Sequence, residues 1–202
     1  FITVLDEECF LIIPTSLPQS GIAENKRVLL KMMDVQYLDF FYKMYPEESI
    51  LLLMRDGRGL VCSTMRSWPG RDFKEVCQLW NDSATMMLKF RNEHVNNTSG
   101  LMFARYEDIL KDPATFMEES CKAYSLDSSI YPYDQIENIA VRGSSTLRKK
   151  NDKYVSWDAM SKPENFKTTG HWDNWTRKEK NIFKKIAGET LIEAGYAQDS
   201  NW

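Results

Sequence analysis

The sequence predicts an α/β fold, a three-layer arrangement with a mainly parallel central sheet flanked by helices. Three observations lead there. Strand-like and helix-like stretches alternate from Arg27 to Tyr124, the pattern of strands joined by helical crossovers. Ile50 to Met54 is a continuous apolar run (ILLLM), which suits a central strand covered on both faces. The 202 residues, 43% hydrophobic and 27% charged, give room for one domain with a real core and exclude a collagen-like, low-complexity or wholly disordered chain.

The first apolar run, Phe10 to Ile13, is followed by Pro14, Pro18 and Gly21, which break regular structure. Arg27 to Met33 (RVLLKMM) reads as a buried strand. Val35 to Tyr45 places Val35, Leu38, Phe41 and Tyr42 on one helical face, and Pro46 stops that helix. The Ile50 to Met54 strand ends in a turn, Arg55-Asp56-Gly57-Arg58-Gly59, and a helix then runs toward Trp68 and Pro69. Phe73 to Phe90 reads as a long helix and Leu101 to Ala104 as a short strand. Pro113 opens a helix that reaches Tyr124.

Residues 143–171 are polar, rich in Lys, Ser and Asn, and long for a structureless loop, which marks a lid-like segment. A last amphipathic helix is expected from Arg177 to Ala194. Ile182, Phe183, Ile186, Leu191 and Ile192 would point inward, and Gly195 would cap its C-terminus. The sequence holds no internal repeat, and residues 1–202 read as a single domain.

No stretch approaches about 20 consecutive apolar residues, so none is long enough to span a bilayer as a helix. The net charge is −3, from 26 basic and 29 acidic residues, a balance that does not favour electrostatic binding to nucleic acid. Cys9, Cys62, Cys77 and Cys121 form no CxxC pair and lack a histidine at metal-ligand spacing, so no metal is expected and buried thiols are the simpler reading. Four N-x-S/T sequons, at Asn81, Asn96, Asn97 and Asn174, point to a secretory compartment such as the Golgi lumen, with a cytoplasmic or organellar address left open.

In an open parallel sheet, ligands gather outside the carboxyl ends of the strands. Lys31 falls at one such end. Arg55 falls at another, with Ser63 eight residues later on the following helix, and Tyr106-Glu107-Asp108 falls at a third. An arginine fork, a hydroxyl and a helix N-terminus together suit a dianionic phosphate, because each supplies donors without bringing negative charge. Taken singly, Arg55 could be a strand-end ion pair, Ser63 a small helix residue and Tyr106 a packing residue.

The segment LLLMRDGRGLVCSTMRSW resembles the 3′-phosphate-binding strand, loop and helix of sulfotransferases that use 3′-phosphoadenosine-5′-phosphosulfate (PAPS). Its RDGR form is most similar to the tyrosylprotein sulfotransferases. Four further pieces agree in order. KMMDVQYLDFFYKMYPEES resembles the family's lysine strand, helix and proline turn. RYEDILKDP resembles its Tyr-Glu-Asp segment. SWDAMSKPENFKTTGHW resembles its lid, through Ser156, Asp158, Lys162-Pro163-x-Asn165 and Trp172, and the closing EAGY, Glu193 to Tyr196, is also sulfotransferase-like.

The resemblance implies that Arg55 and Ser63 hold the donor's 3′-phosphate, with Arg66 a further cation one helical turn on. Tyr106 would meet the adenine, and Ser156, Lys162 and Asn165 would close over the nucleotide. Lys31 would stabilise charge on the transferring sulfuryl group, with Ser144 or Ser145 a second donor there. The implied reaction is metal-free transfer of a sulfuryl group from PAPS to a hydroxyl acceptor, a peptide tyrosine, a glycan or a small molecule. A homodimer or a larger complex is compatible with it.

The match stops short in two places. The family's phosphate loop after the first strand is not found. FLIIPTSLPQSG lacks its basic residue and lies too close to the Lys31 strand to hold the usual helix, which makes its likeness a coincidence. The general base is missing too, since Met33 stands where a histidine serves in the cytosolic sulfotransferases, and neither His94 nor His171 matches a family position. The chain is therefore expected to be N-terminally incomplete, the C-terminal portion of such a domain. The alternative is a catalytically inactive, sulfotransferase-like structural or assembly subunit.

Overall fold

Six consecutive buried residues, Ser49–Met54, form the strand on which the sheet is organised. The computed structural model describes residues 9–13, 30–32, 34–94, 100–148, 152, 155–164, 166 and 169–202. They fall into two compact units. One comprises Cys9–Met54 and Met86–Tyr131, and the other Arg55–Thr85 and Pro132–Trp202.

The first unit carries a four-stranded sheet of β1 (Cys9–Ile13), β2 (Leu30–Met32), β3 (Ser49–Met54) and β4 (Leu101–Arg105), in the order β2-β1-β3-β4. β3 and β4 are parallel, in register from Ile50 against Leu101 to Met54 against Arg105. β1 is antiparallel to both of its neighbours, with Phe10 opposite Met32 on one side and Leu52 on the other. The fold is α/β as expected, but the sheet is mixed among the described strands where a mainly parallel one was expected. The reason lies in what the pattern reports. A run such as ILLLM records burial on both faces, and a strand between one parallel and one antiparallel neighbour is buried just as well.

The helices of this unit follow from simple local rules. Asp34 caps a short 3-10 helix, Val35–Tyr37, which continues into α1 (Leu38–Met44) with Val35 and Leu38 buried. α5 (Pro113–Ala123) begins with proline at its first turn, and Asp112 accepts from the Thr115 amide at 3.0 Å. Just beyond its end, Tyr124 is buried and its hydroxyl lies 3.4 Å from the Ile50 carbonyl, so burial holds the phenol far above its ordinary pKa. The C-terminal end of the long helix α3 (Phe73–Glu93) packs Phe90 edge-on against Tyr42 of α1 at 5.2 Å.

The second unit is built on aromatic rings. Trp80 of α3 and Phe183 of α6 (Arg177–Glu193) are fully buried with centroids 5.8 Å apart, and Trp175 lies 5.3 Å from both Phe183 and Phe73. Here one glycine is obligatory. A Cβ on Gly57, the first residue of α2 (Gly57–Ser67), would sit 2.4 Å from the Trp80 ring, so the helix reaches that indole only because Gly57 has no side chain. α6 starts with a capping box between Thr176 and Glu179. It ends at Gly195, whose φ of 76° allows the Tyr196 amide to reach the Leu191 carbonyl at 3.0 Å.

Among the described residues no helix is long and apolar enough to cross a membrane. Cys62, Cys77 and Cys121 are free, buried thiols, as the sequence suggested. Of the sequons, Asn81 lies within α3 with its amide oxygen accepting from Thr190 at 2.6 Å, whereas Asn174 is exposed. Asn96 and Asn97 lie outside the described residues.

Candidate functional site

The chain leaves an apolar strand at Met54 and enters α2 three residues later, and the residues in between decide what this junction can bind. Asp56 is the N-cap of α2, and its carboxylate accepts from the Arg58 amide at 2.9 Å. The same carboxylate takes two guanidinium donors of Arg58, at 2.6 Å from Nη2 and 3.0 Å from Nε. Arg58 also donates to the Tyr196 carbonyl at 2.9 Å and lies over Trp172 at 4.1 Å and Trp202 at 4.9 Å. Arg58 is thus the anchor that ties the start of α2 to the C-terminal segment.

The expectation that the helix N-terminus joins the phosphate set is not met. Asp56 accepts from one amide of that end and brings to it a carboxylate paired with the Arg58 guanidinium, so the end is not a bare anion site. Arg55 is the first of the side chains expected at the phosphate. It is 5% exposed, and its carbonyl accepts from the Trp80 indole at 3.2 Å, which fixes the backbone. A methyl placed on Gly59 would lie 3.6 Å from the Arg55 Nε, so the side chain crosses the first turn of α2. Ser63, two turns along, is 4% exposed, and Arg66 is half-buried one turn further.

The structure brings Ser145 to this group. The hydroxyls of Ser63 and Ser145 share a hydrogen bond of 3.0 Å across 82 positions of sequence. The turn that delivers Ser145 depends on Gly143, which has φ of 65° and whose Cβ would meet the Trp157 ring at 2.7 Å. The Gly143 amide donates to the Ser156 carbonyl at 2.9 Å, and Val141 and Met160 exchange two backbone hydrogen bonds of 2.8 and 2.9 Å. The neighbouring Ser144 is buried, and its hydroxyl accepts from the Thr146 amide at 3.2 Å, so it shapes the turn. Ser145 is therefore the serine that reaches α2.

The segment expected to be a lid is thereby pinned at several points. Arg148 donates to the Arg66 carbonyl at 2.7 Å and to the Asp152 carbonyl at 2.6 Å. Ser156 forms a closed local turn with Asp158, donating to its carboxylate and accepting from its amide, each at 3.1 Å. Lys162 is exposed, and Asn165 lies outside the described residues. The Thr146 hydroxyl is 3.4 Å from Nε2 of His171.

Lys31 and Tyr106 belong to the other unit. Lys31 is exposed on β2, opposite Leu11 of β1. Tyr106 is 5% exposed and is the first residue of α4 (Tyr106–Lys111), directly after β4.

Two thiols complete the picture. Burial raises Cys62 of α2 to about 11 and Cys77 of α3 to about 12, so both stay protonated at neutral pH and are poor nucleophiles. Along α2 and the Gly143 turn the chain thus carries a set of hydrogen-bond donors, Arg55, Ser63 and Arg66 with Ser145 brought against Ser63. A guanidinium in a low-dielectric setting attracts an anion much more strongly than one at the surface, and its planar fork matches a phosphate oxygen pair. Sequence reasoning gave Arg58 and Arg148 no role. The two indoles, Trp172 and Trp202, were the signal for Arg58, since a buried arginine needs a face to stack on.

In comparisons with known proteins, no family model and no curated protein matches the chain.

Proposed function

We propose that the chain is a sulfotransferase domain that binds the 3′-phosphate of PAPS with Arg55, Ser63, Ser145 and Arg66. The observation that carries this reading is the 3.0 Å hydrogen bond between Ser63 of α2 and Ser145, with Arg55 buried two residues before that helix begins. Three separate parts of the sequence, the strand end, the helix and the Gly143 turn, contribute neutral or cationic donors to one locality. Donors of that kind suit a dianion. The order of the motifs, from the lysine strand to EAGY, supports the PAPS class over other phosphate donors, and the three-layer sulfotransferase architecture belongs to the same proposal.

In this reading Lys31 follows the charge on the sulfuryl group, Tyr106 contacts the adenine, and Ser156, Lys162 and Asn165 close over the nucleotide. The bond from sulfur to the donor's 5′-phosphate oxygen breaks as a bond to the acceptor hydroxyl oxygen forms. Adenosine 3′,5′-bisphosphate leaves, and the acceptor gives up its proton. Catalysis by positioning and charge stabilisation needs no metal. The acceptor is a peptide tyrosine or a carbohydrate hydroxyl, in a secretory compartment such as the Golgi lumen.

Titration calorimetry with adenosine 3′,5′-bisphosphate tests the nucleotide site. Binding is expected, and Arg55→Ala or Ser63→Ala should weaken it by about 10- to 100-fold, the cost of losing a hydrogen bond to a charged group. No binding, or binding indifferent to Arg55→Ala, overturns the proposal. Binding without transfer of labelled sulfuryl groups from PAPS to tyrosine peptides or glycans favours the inactive-subunit alternative.

A further inference from the structure

We propose that Asp39, Glu93 and His94 form a zinc site that staples α1 to the C-terminal end of α3. All three belong to the same unit, and one ligand atom from each lies within 4.8 Å of the other two. Asp39 stands in the first turn of α1, Glu93 is the last residue of α3, and His94 follows it. Tetrahedral zinc, with bonds of about 2.0–2.2 Å, sets its ligands about 3.3 Å apart. Asp39 and Glu93 are exposed, so their side chains can close the remaining distance by rotamer changes at the surface.

The histidine distinguishes this group from an ordinary cluster of surface acids. Its ring is held by packing, 4.3 Å from the Tyr42 ring and 4.4 Å from the Phe90 ring. Its backbone amide donates to the Phe90 carbonyl at 3.1 Å, which continues the helix and fixes where the side chain leaves it. An imidazole immobilised in this way loses little freedom on binding a metal. The position also helps electrostatically, because the C-terminal end of a 21-residue helix carries partial negative charge that favours a cation.

Two carboxylates and a neutral imidazole together carry −2, matched to a divalent ion, and mixed nitrogen and oxygen ligands suit zinc better than calcium or magnesium. A water would take the fourth position. The competing partner is Lys89, whose amine lies 3.8 Å from the Glu93 carboxylate. That pair is solvent-exposed, and such pairs are worth little.

The site has no part in the sulfuryl transfer proposed above, so it stands or falls separately. Titration calorimetry of the whole chain with zinc chloride, in a buffer that does not chelate metals, should give one site per chain. His94→Ala should lower the affinity by about a hundredfold or more, since losing even an outer partner of a ligand costs about 10- to 100-fold. His94 also packs against two rings, so Asp39→Asn is the second variant. Asp39 is exposed, its replacement leaves the packing untouched, and it should weaken zinc to a similar degree. Cobalt substituted for zinc should give the visible absorption of a tetrahedral site in the wild type and lose it in both variants. Absence of zinc binding, or binding that survives both variants while cysteine substitutions abolish it, overturns the proposal.

Discussion

The two units bury different kinds of residue. In the unit with the sheet, the core is led by Ile50 to Met54 and includes Phe90, Tyr106 and Tyr124, and apart from those two tyrosines the buried polar residues among the described ones are Ser49 and Ser120. In the unit with α2 and α6, the core sets Trp80 and Phe183 among aliphatic residues such as Leu60, Val61, Val76 and Leu191, and it buries Arg55, Arg58, Ser63, Thr64, Ser67, Ser144 and Thr190. Burying a guanidinium costs several kcal/mol unless the structure supplies partners, as Asp56, the Tyr196 carbonyl and two indoles do for Arg58. The second unit holds the residues proposed for the 3′-phosphate, Arg55, Ser63, Ser145 and Arg66, whereas Lys31 and Tyr106 belong to the first.

Removing the largest ring of the aromatic unit should break that contrast most severely. Trp80→Ala deletes the surface against which Gly57, Phe183 and the Arg55 carbonyl are all fitted. A loss of about 3–5 kcal/mol is expected, read from the midpoint of urea unfolding. A loss under about 1 kcal/mol, the size of an ordinary surface change, would mean that the ring is not the organising element.

The two arginines sharpen the comparison further. Arg58 is committed to Asp56, the Tyr196 carbonyl and two indoles, and its side chain is 7% exposed. Arg58→Ala leaves the Asp56 carboxylate without its partner, and a loss of about 3 kcal/mol is expected, typical of breaking a buried pair from one side. Arg55→Ala should show a different profile, with nucleotide binding weakened by about 10- to 100-fold. Equal effects of both substitutions on stability, with none on binding, would place Arg55 among the structural groups.

Much of this was legible in the sequence because its signals were local. Proline at 113, glycine at 195 and the apolar runs at 50–54 and 101–104 bracket their elements to within a residue or two. Arg55 and Ser63 were legible from their spacing relative to a strand end. Strand direction was not, because β1 and β3 meet through backbone hydrogen bonds that any apolar run can make, and nothing in CFLII records which way its neighbour runs. Nor was the contact of Ser145 with Ser63, which spans 82 residues and depends on a left-handed glycine and a tryptophan ring. Asp56 at the N-cap was visible as a residue, but its effect on the phosphate set was not. A capping carboxylate and a free helix end make opposite electrostatic offers to an anion, and only the side-chain geometry tells them apart.

The smallest expected effect concerns α6, which places Phe183 in the aromatic core. Thr176 caps this helix, its hydroxyl accepting from the Glu179 amide at 3.2 Å, while the Glu179 carboxylate accepts from the Thr176 amide at 2.7 Å and hydroxyl at 2.6 Å. The hydroxyl bond, followed by the backbone bond, holds the Glu179 carboxyl below its ordinary value of 4.5. A carboxyl that holds its proton less tightly in the folded state stabilises that state above pH 4.5, and the contribution fades as pH falls through the lowered value. Thr176→Ala should therefore cost about 1 kcal/mol at neutral pH, as N-cap losses do, and less at pH 3. Urea unfolding of wild type and variant at both pH values checks this. A difference that stays constant from pH 7 to pH 3 would show that the threonine acts through its bond from the Glu179 amide, independently of the carboxylate it binds.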